Sequence, residues 1–218
     1  MGIEVKICGI TSVAAADAAL RAHADFAGLM FHVGSPRNLA PEQASALAAR
    51  LRGQTRIVAV LSNPRDEDIA LALRTAKPDF LQLHGHETPD RVAAIRTQST
   101  LPVIKVVAVA DAADFAAVAA YEKIADILLF DTKAPAGAAR EGGHGAAFDW
   151  QLLRGRTFSR PWLLAGGLNP DNVARAIQTA NAPGVDVSSG VETSPGVKNV
   201  ELIAAFVQSA RSAHTVQA

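Results

Sequence analysis

Eight short apolar runs recur along the chain, at residues 3–8, 26–31, 57–61, 80–83, 103–107, 127–130, 162–165 and 185–187. Each is short and rich in β-branched residues or leucine, as in parallel strands covered on both faces. Between them lie alanine-rich stretches with helical starts. Thr11-Ser12 offers capping hydroxyls to a helix over 13–24. Ala40-Pro41-Glu42, Thr88-Pro89-Asp90 and Asn169-Pro170-Asp171 put proline at or near a first helical position, and Asn63-Pro64 precedes a helix over 65–76. A short helix is expected over 148–153 and a last one over 200–210, with 214–218 a loose tail. Eight strand–helix units in 218 residues predict a (β/α)8 TIM barrel, one domain over 1–218. A doubly wound open sheet is the alternative. It is weakened because the glycine-rich run, Gly142-Gly143-His144-Gly145, does not directly follow a strand, as a dinucleotide fingerprint requires.

Composition narrows the function classes. Lys plus Arg and Asp plus Glu stand at 21 each, so no overall charge favours nucleic acid or an anionic membrane. One cysteine leaves no intramolecular disulfide and no cysteine-clustered zinc site. The chain enters a strand directly after Met1-Gly2, without a basic segment and apolar stretch of signal type, and no apolar run reaches spanning length. The expectation is a cytoplasmic protein with a small-molecule partner, no nucleic acid and no membrane, either monomer or homodimer.

In a closed barrel the carboxyl ends of the strands converge, and chemistry is sought there. The first strand ends on Cys8, the sole cysteine, which is either a small core residue or a reactive thiol. After the second comes Gly34-Ser35-Pro36-Arg37-Asn38, whose guanidinium is either a solvated charge or a fork for a carboxylate. The fourth gives Gln82-Leu83-His84-Gly85, with His84 either a loop anchor or a direct participant. The sixth gives Asp131 after Leu128-Leu129-Phe130, where partial desolvation would raise its pKa and suit a general acid. Gly166-Gly167 and Ser188-Ser189-Gly190 follow the last two strands. They are either tight turns or a phosphate cradle of backbone N–H groups. Residues two apart on a strand share a face, so Lys6 lies on the side of Cys8 and Asp186 on that of Ser188. Closure would make Lys6 and Asp186 a buried ion pair beneath the site, the ammonium favouring a Cys8 thiolate. The other reading points Lys6 outward.

Taken in order, Lys6-Ile7-Cys8-Gly9-Ile10-Thr11, Ser35-Pro36-Arg37, Gln82-Leu83-His84-Gly85, Asp131-Thr132-Lys133, Phe148-Asp149-Trp150, Ala165-Gly166-Gly167-Leu168 and Asp186-Val187-Ser188-Ser189-Gly190-Val191-Glu192 resemble the phosphoribosylanthranilate isomerase family of tryptophan biosynthesis. The resemblance covers nearly the whole chain. It implies a cofactor-free barrel acting on a phosphorylated small molecule by an Amadori rearrangement. It puts Cys8 in the general-base position, Asp131 in the general-acid position, Arg37 near the substrate carboxylate and the last two turns around the phosphate. The sequence departs from the family pattern at His144 and Ala146 of the glycine-rich loop and in the lead-in His32-Val33-Gly34. Another phosphosugar isomerase on the same barrel, or a non-catalytic binding barrel, would share the phosphate turns.

Overall fold

The structure is a computed structural model that describes residues 2–133 and 148–214. Eight parallel strands close into a ring in sequence order. They are β1 (Glu4–Cys8), β2 (Phe26–Met30), β3 (Arg56–Leu61), β4 (Phe80–Leu83), β5 (Val103–Val109), β6 (Ile127–Thr132), β7 (Trp162–Leu164) and β8 (Gly184–Val187). The ring is sealed by β1 pairing with β8, with Lys6 opposite Asp186 and Ile7 opposite Val187. That closure excludes the open sheet.

Around the ring run α1 (Val13–Arg21), α2 (Pro41–Leu51), α3 (Asp66–Ala76), α4 (Pro89–Ser99), α5 (Val118–Tyr121), α6 (Val173–Ala180) and α7 (Val200–His214). Ser12 caps α1, its side chain accepting the Ala15 N–H, and Thr88 does the same for α4 through Arg91. α1 ends at Arg21, earlier than its alanines suggest, because the chain turns left-handed at His23 (φ 57°) to enter β2. Pro170 does not open α6. It sits in a turn where the Asn169 side chain accepts N–H bonds from Asp171 and Asn172, and the helix starts at Val173. A 3-10 turn (Ala112–Ala117) and the single turn α5 fill the space between β5 and β6, and a 3-10 turn over Trp150–Leu153 precedes β7. α7 extends to His214, so of the expected tail only 215–218 falls outside the described residues, as does the glycine-rich run 142–145. A small hairpin of β9 (Glu192–Ser194) and β10 (Val197–Lys198) follows β8, a feature the strand count did not anticipate.

Two apolar layers hold the ring. Inside it, Phe26, Val58, Val60, Ile104, Val106, Ile127, Leu129 and Leu163 pack together, with Cys8 and Ala165 in the same cluster. Outside it, the other strand face meets the helices through residues such as Val5, Ile7, Leu29, Phe130, Val185 and Phe206. At the entry end a motif repeats. Asp25, Asp79 and Asp126 stand just before β2, β4 and β6, and each accepts the N–H of the residue that starts or nearly starts the preceding odd strand. Those donors are Val5 (2.8 Å), Ile57 (2.7 Å) and Val103 (2.9 Å). Before β8 the residue is Pro183, which has no such side chain, and its carbonyl accepts from Glu4 across the seam to β1.

Candidate active site

Cys8 ends β1 and is buried. Below it on the same face, Lys6 is fully buried and its Nζ lies 2.8 Å from Oδ1 of Asp186. The inward-facing ion pair expected from strand alternation is therefore present. Burial alone would lower the Lys6 ammonium, but Asp186 and Cys8 outweigh it and hold its pKa above the ordinary lysine value.

The ammonium acts on Cys8 in the expected direction, but burial acts more strongly the other way. Desolvation pushes the thiol up, and although Lys6 and Lys198 pull it down, with Asp186 opposing them, its pKa stays above the usual thiol range. The ammonium helps, but with Asp186 beside it and a dry site around it, it does not make a thiolate by itself.

Asp131 lies within β6, one residue before its end, because the strand runs on through Thr132. Its Oδ1 accepts the Thr132 N–H (2.7 Å), and its Oδ2 lies 3.3 Å from Nε2 of His84. On the other side His84 Nδ1 is 3.5 Å from Nε2 of Gln82, a fully buried side chain. The imidazole thus bridges β4 to the acid on β6. On the shorter way round the ring, β7 and β8 separate the strand of Asp131 from that of Cys8.

Arg37 is not a solvated charge: it is buried, at 5% exposure. Its Nε and Nη2 fork onto Glu192, each at 2.7 Å, and Lys198 Nζ meets the same carboxylate at 2.7 Å. Glu192 was visible in the sequence only as the end of a motif, and nothing at the sequence level paired it with Arg37, 155 residues earlier.

After β7, Gly166 and Gly167 both take left-handed backbone (φ 85° and 65°). After β8, Ser188 leads into a 3-10 turn over Ser189–Val191. A Cβ on Gly190 would fall 1.8 Å from the Leu168 carbonyl oxygen, so only glycine lets the two turns meet this closely. Among the described residues, the backbone N–H groups of Gly167, Ser189 and Gly190 have no hydrogen-bond acceptor. Such convergent free donors suit an anion.

A second buried pair went unnoticed in the sequence. Lys105 Nζ meets Glu87 at 2.6 Å and donates to the carbonyls of Leu83 (3.3 Å) and Gly85 (2.7 Å), while Glu87 also accepts the N–H groups of Asn63 and Gly85. The pair stands on the outer face of the wall and secures the loop that carries His84. No helix among the described residues is long and apolar enough to cross a membrane.

The fold agrees with the comparisons. The profile of the family described as N-(5'-phosphoribosyl)anthranilate (PRA) isomerase matches residues 5–209. The N-(5'-phosphoribosyl)anthranilate isomerase of Paramagnetospirillum magneticum is 49% identical over 211 residues, covering 97% of this chain and 98% of that one. The crystal structure of phosphoribosyl anthranilate isomerase from Thermotoga maritima superposes with a TM-score of 0.85 at 34% identity, covering 96% of this chain and 99% of that one. Another phosphoribosyl anthranilate isomerase structure, in complex with reduced 1-(o-carboxyphenylamino)-1-deoxyribulose 5-phosphate, gives 0.82 at 33% identity, with 96% and 99% covered. This chain belongs to the N-(5'-phosphoribosyl)anthranilate isomerase family.

Proposed function

We propose that this chain catalyses the Amadori rearrangement of N-(5-phosphoribosyl)anthranilate to 1-(2-carboxyphenylamino)-1-deoxyribulose 5-phosphate, with Cys8 as base and Asp131 as acid. The observation that carries this reading is the convergence, at one barrel mouth, of a thiol on β1, a carboxyl on β6, a buried guanidinium and two turns whose N–H groups meet no acceptor among the described residues. The residue types answer the chemistry. The ring C–O bond at C1 breaks as the anilino lone pair forms a C=N⁺ bond, and Asp131 gives its proton to the departing ring oxygen. The iminium acidifies C2–H, and the Cys8 thiolate takes that proton. Its electron pair forms the C1=C2 bond of an enolamine. Reprotonation at C1, as the C2 hydroxyl becomes a ketone, completes the isomerisation. Substrate nitrogen is the electron sink, so the reaction calls for neither metal nor pyridoxal phosphate.

In this reading Arg37 meets the anthranilate carboxylate. The N–H groups of Gly167, Ser189 and Gly190, with the hydroxyls of Ser188 and Ser189, receive the phosphate. His84 Nε2, 3.3 Å from Asp131 Oδ2, stands close enough to pass a proton to it. Because Cys8 begins as a buried thiol, the productive form is a minor one that substrate must stabilise. The protein works as one catalytic domain in the cytoplasm, as monomer or homodimer.

Mixing the protein with freshly made phosphoribosylanthranilate and following the fluorescence of its anilino group tests the reading. Enzymatic turnover gives a loss of signal proportional to protein. Binding without that loss would make this a carrier rather than an isomerase, and conversion only of an unrelated aldose phosphate would make it a different isomerase.

A further inference from the structure

One carboxylate in the mouth is saturated by the protein itself. Glu192 Oε1 accepts from Arg37 Nε and Lys198 Nζ, each at 2.7 Å, and Oε2 accepts from Arg37 Nη2 at 2.7 Å and the Gly196 N–H at 3.3 Å. A carboxylate offers about four acceptor sites, and all are used, so Glu192 has none left for a ligand. Its side chain is 4% exposed and that of Lys198 is 0%. Two cations therefore share one anion away from water, and the cluster carries one uncompensated positive charge.

The hairpin that holds it is tied to three strand ends. Lys198 Nζ donates to the carbonyl and hydroxyl oxygens of Ser188 after β8, Thr11 after β1 donates to the Gly196 carbonyl, and Arg37 comes from the loop after β2. The stem of Arg37 crosses directly over Gly9, where a Cβ would fall 2.4 Å from Arg37 Cδ. The guanidinium is thus carried past the residue that follows Cys8. Its side edge, Nε with one proton of Nη2, is spent on Glu192. Nη1 donates to nothing among the described residues. The end-on edge, Nη1 with the other proton of Nη2, can still take a carboxylate in a two-pronged contact.

We propose that Glu192 is a specificity-determining positioning residue: by locking the side edge of Arg37 it aims the end-on edge at the aromatic carboxylate of the substrate and selects carboxylated over plain arylamines. This rests on the reading that Arg37 meets that carboxylate. Glu192 touches no reacting atom. Its effect passes through Arg37, and Lys198 supplies the charge that lets the cluster bind a further anion without a net negative centre beside Cys8.

The test compares binding of two stable ligands by calorimetric titration: reduced 1-(o-carboxyphenylamino)-1-deoxyribulose 5-phosphate, and the same compound with an unsubstituted phenylamino group. Glu192→Gln should weaken the carboxylated ligand by roughly tenfold or more and the plain one by less than about twofold, with KM rising and kcat nearly kept. Should the unbalanced cations prevent folding, Glu192→Gln combined with Lys198→Met keeps the net charge of the cluster and is read in the same way. Equal weakening of both ligands, or an unchanged preference, would overturn the proposal when Arg37→Ala itself abolishes the preference. If Arg37→Ala leaves the preference intact, the Arg37 reading falls first and takes the proposal with it.

Discussion

The two ends of the barrel treat charge in opposite ways. At the entry end, Glu4, Asp25, Arg56 and Arg211 are roughly a third or more exposed, so their ion pairs, from Arg56–Glu4 at 2.6 Å to Arg56–Asp25 at 4.0 Å, face solvent. Asp25, Asp79 and Asp126 serve the backbone, each holding one strand N–H. Toward the exit end, Lys6–Asp186, Lys105–Glu87 and Arg37–Glu192–Lys198 have side chains no more than 9% exposed. Burying a pair costs several kcal/mol per ion before attraction repays it, so such pairs are poor devices for stability alone. Among the described residues such pairs gather toward the exit end, where Lys6–Asp186 and Arg37–Glu192–Lys198 surround the candidate site and Lys105–Glu87 secures a loop from outside the wall.

That contrast can be broken at four points. The largest effect belongs to the proposed acid–base pair. Cys8→Ser and Asp131→Asn should each lower kcat by about 10²–10⁴-fold, roughly 3–5 kcal/mol, since a hydroxyl is a poor base and an amide gives no proton. Steady-state turnover of phosphoribosylanthranilate measures this, and the double variant should lose less than the sum. Near-normal kcat in both would return Cys8 to the core.

Arg37→Ala comes next, at roughly 2–4 kcal/mol in kcat/KM for a desolvated carboxylate contact. An exposed arginine would leave stability untouched. This one is buried against Glu192, so its loss should also lower the thermal midpoint, read by circular dichroism. A variant with unchanged kcat/KM would take Arg37 out of the site.

At the opposite end the pattern should invert. Asp79→Ala strands the Ile57 N–H, and urea unfolding should register about 1–3 kcal/mol of lost stability with kcat unaltered. A kinetic defect without a stability defect would erase the distinction between the ends.

The smallest effect concerns the thiol. With the pKa of Cys8 raised, its thiolate fraction is low at neutral pH and grows about tenfold per pH unit until that pKa is passed. The rate of inactivation by iodoacetamide should therefore climb steadily from pH ~7 to ~9, and Lys6→Met should move the curve to higher pH. A plateau already reached near neutrality would mean that Lys6 and Lys198 overcome burial after all.

Why some of this could be read from the chain and some could not follows from the range of the signals. Strand 80–83 was legible because four residues between turn formers have little else to be, and the Lys6–Asp186 pair because alternation fixes faces once the ring closes. Asp131 was found from its own neighbours, Leu128 to Phe130, but its contact with His84 spans two strands that do not adjoin. Glu192 with Arg37 and Glu87 with Lys105 depend on loops meeting in space, for which no periodicity exists. The β9–β10 hairpin had a cue in Pro195-Gly196, too short to weigh against eight stronger runs. The aspartates before β2, β4 and β6 were a real repeat, hidden because a single residue recurring at uneven intervals is not a period. The pull of Lys6 on the thiol was legible because it lies two residues away on the same face, whereas the burial that outweighs it was not.

The seam between β1 and β8 has a consequence for how the protein comes into being. Lys6 and Cys8 are made well before the partner that completes the pair beneath the thiol, since Asp186 lies 180 residues after Lys6. At a ribosomal pace of about 5–20 residues per second, roughly 10–35 s pass before that carboxylate even exists. For all of that time the nascent chain exposes an unclosed edge at β1 and a lysine without its counter-ion. The ring and the ion pair beneath Cys8 are therefore completed together, when β8 reaches back to β1.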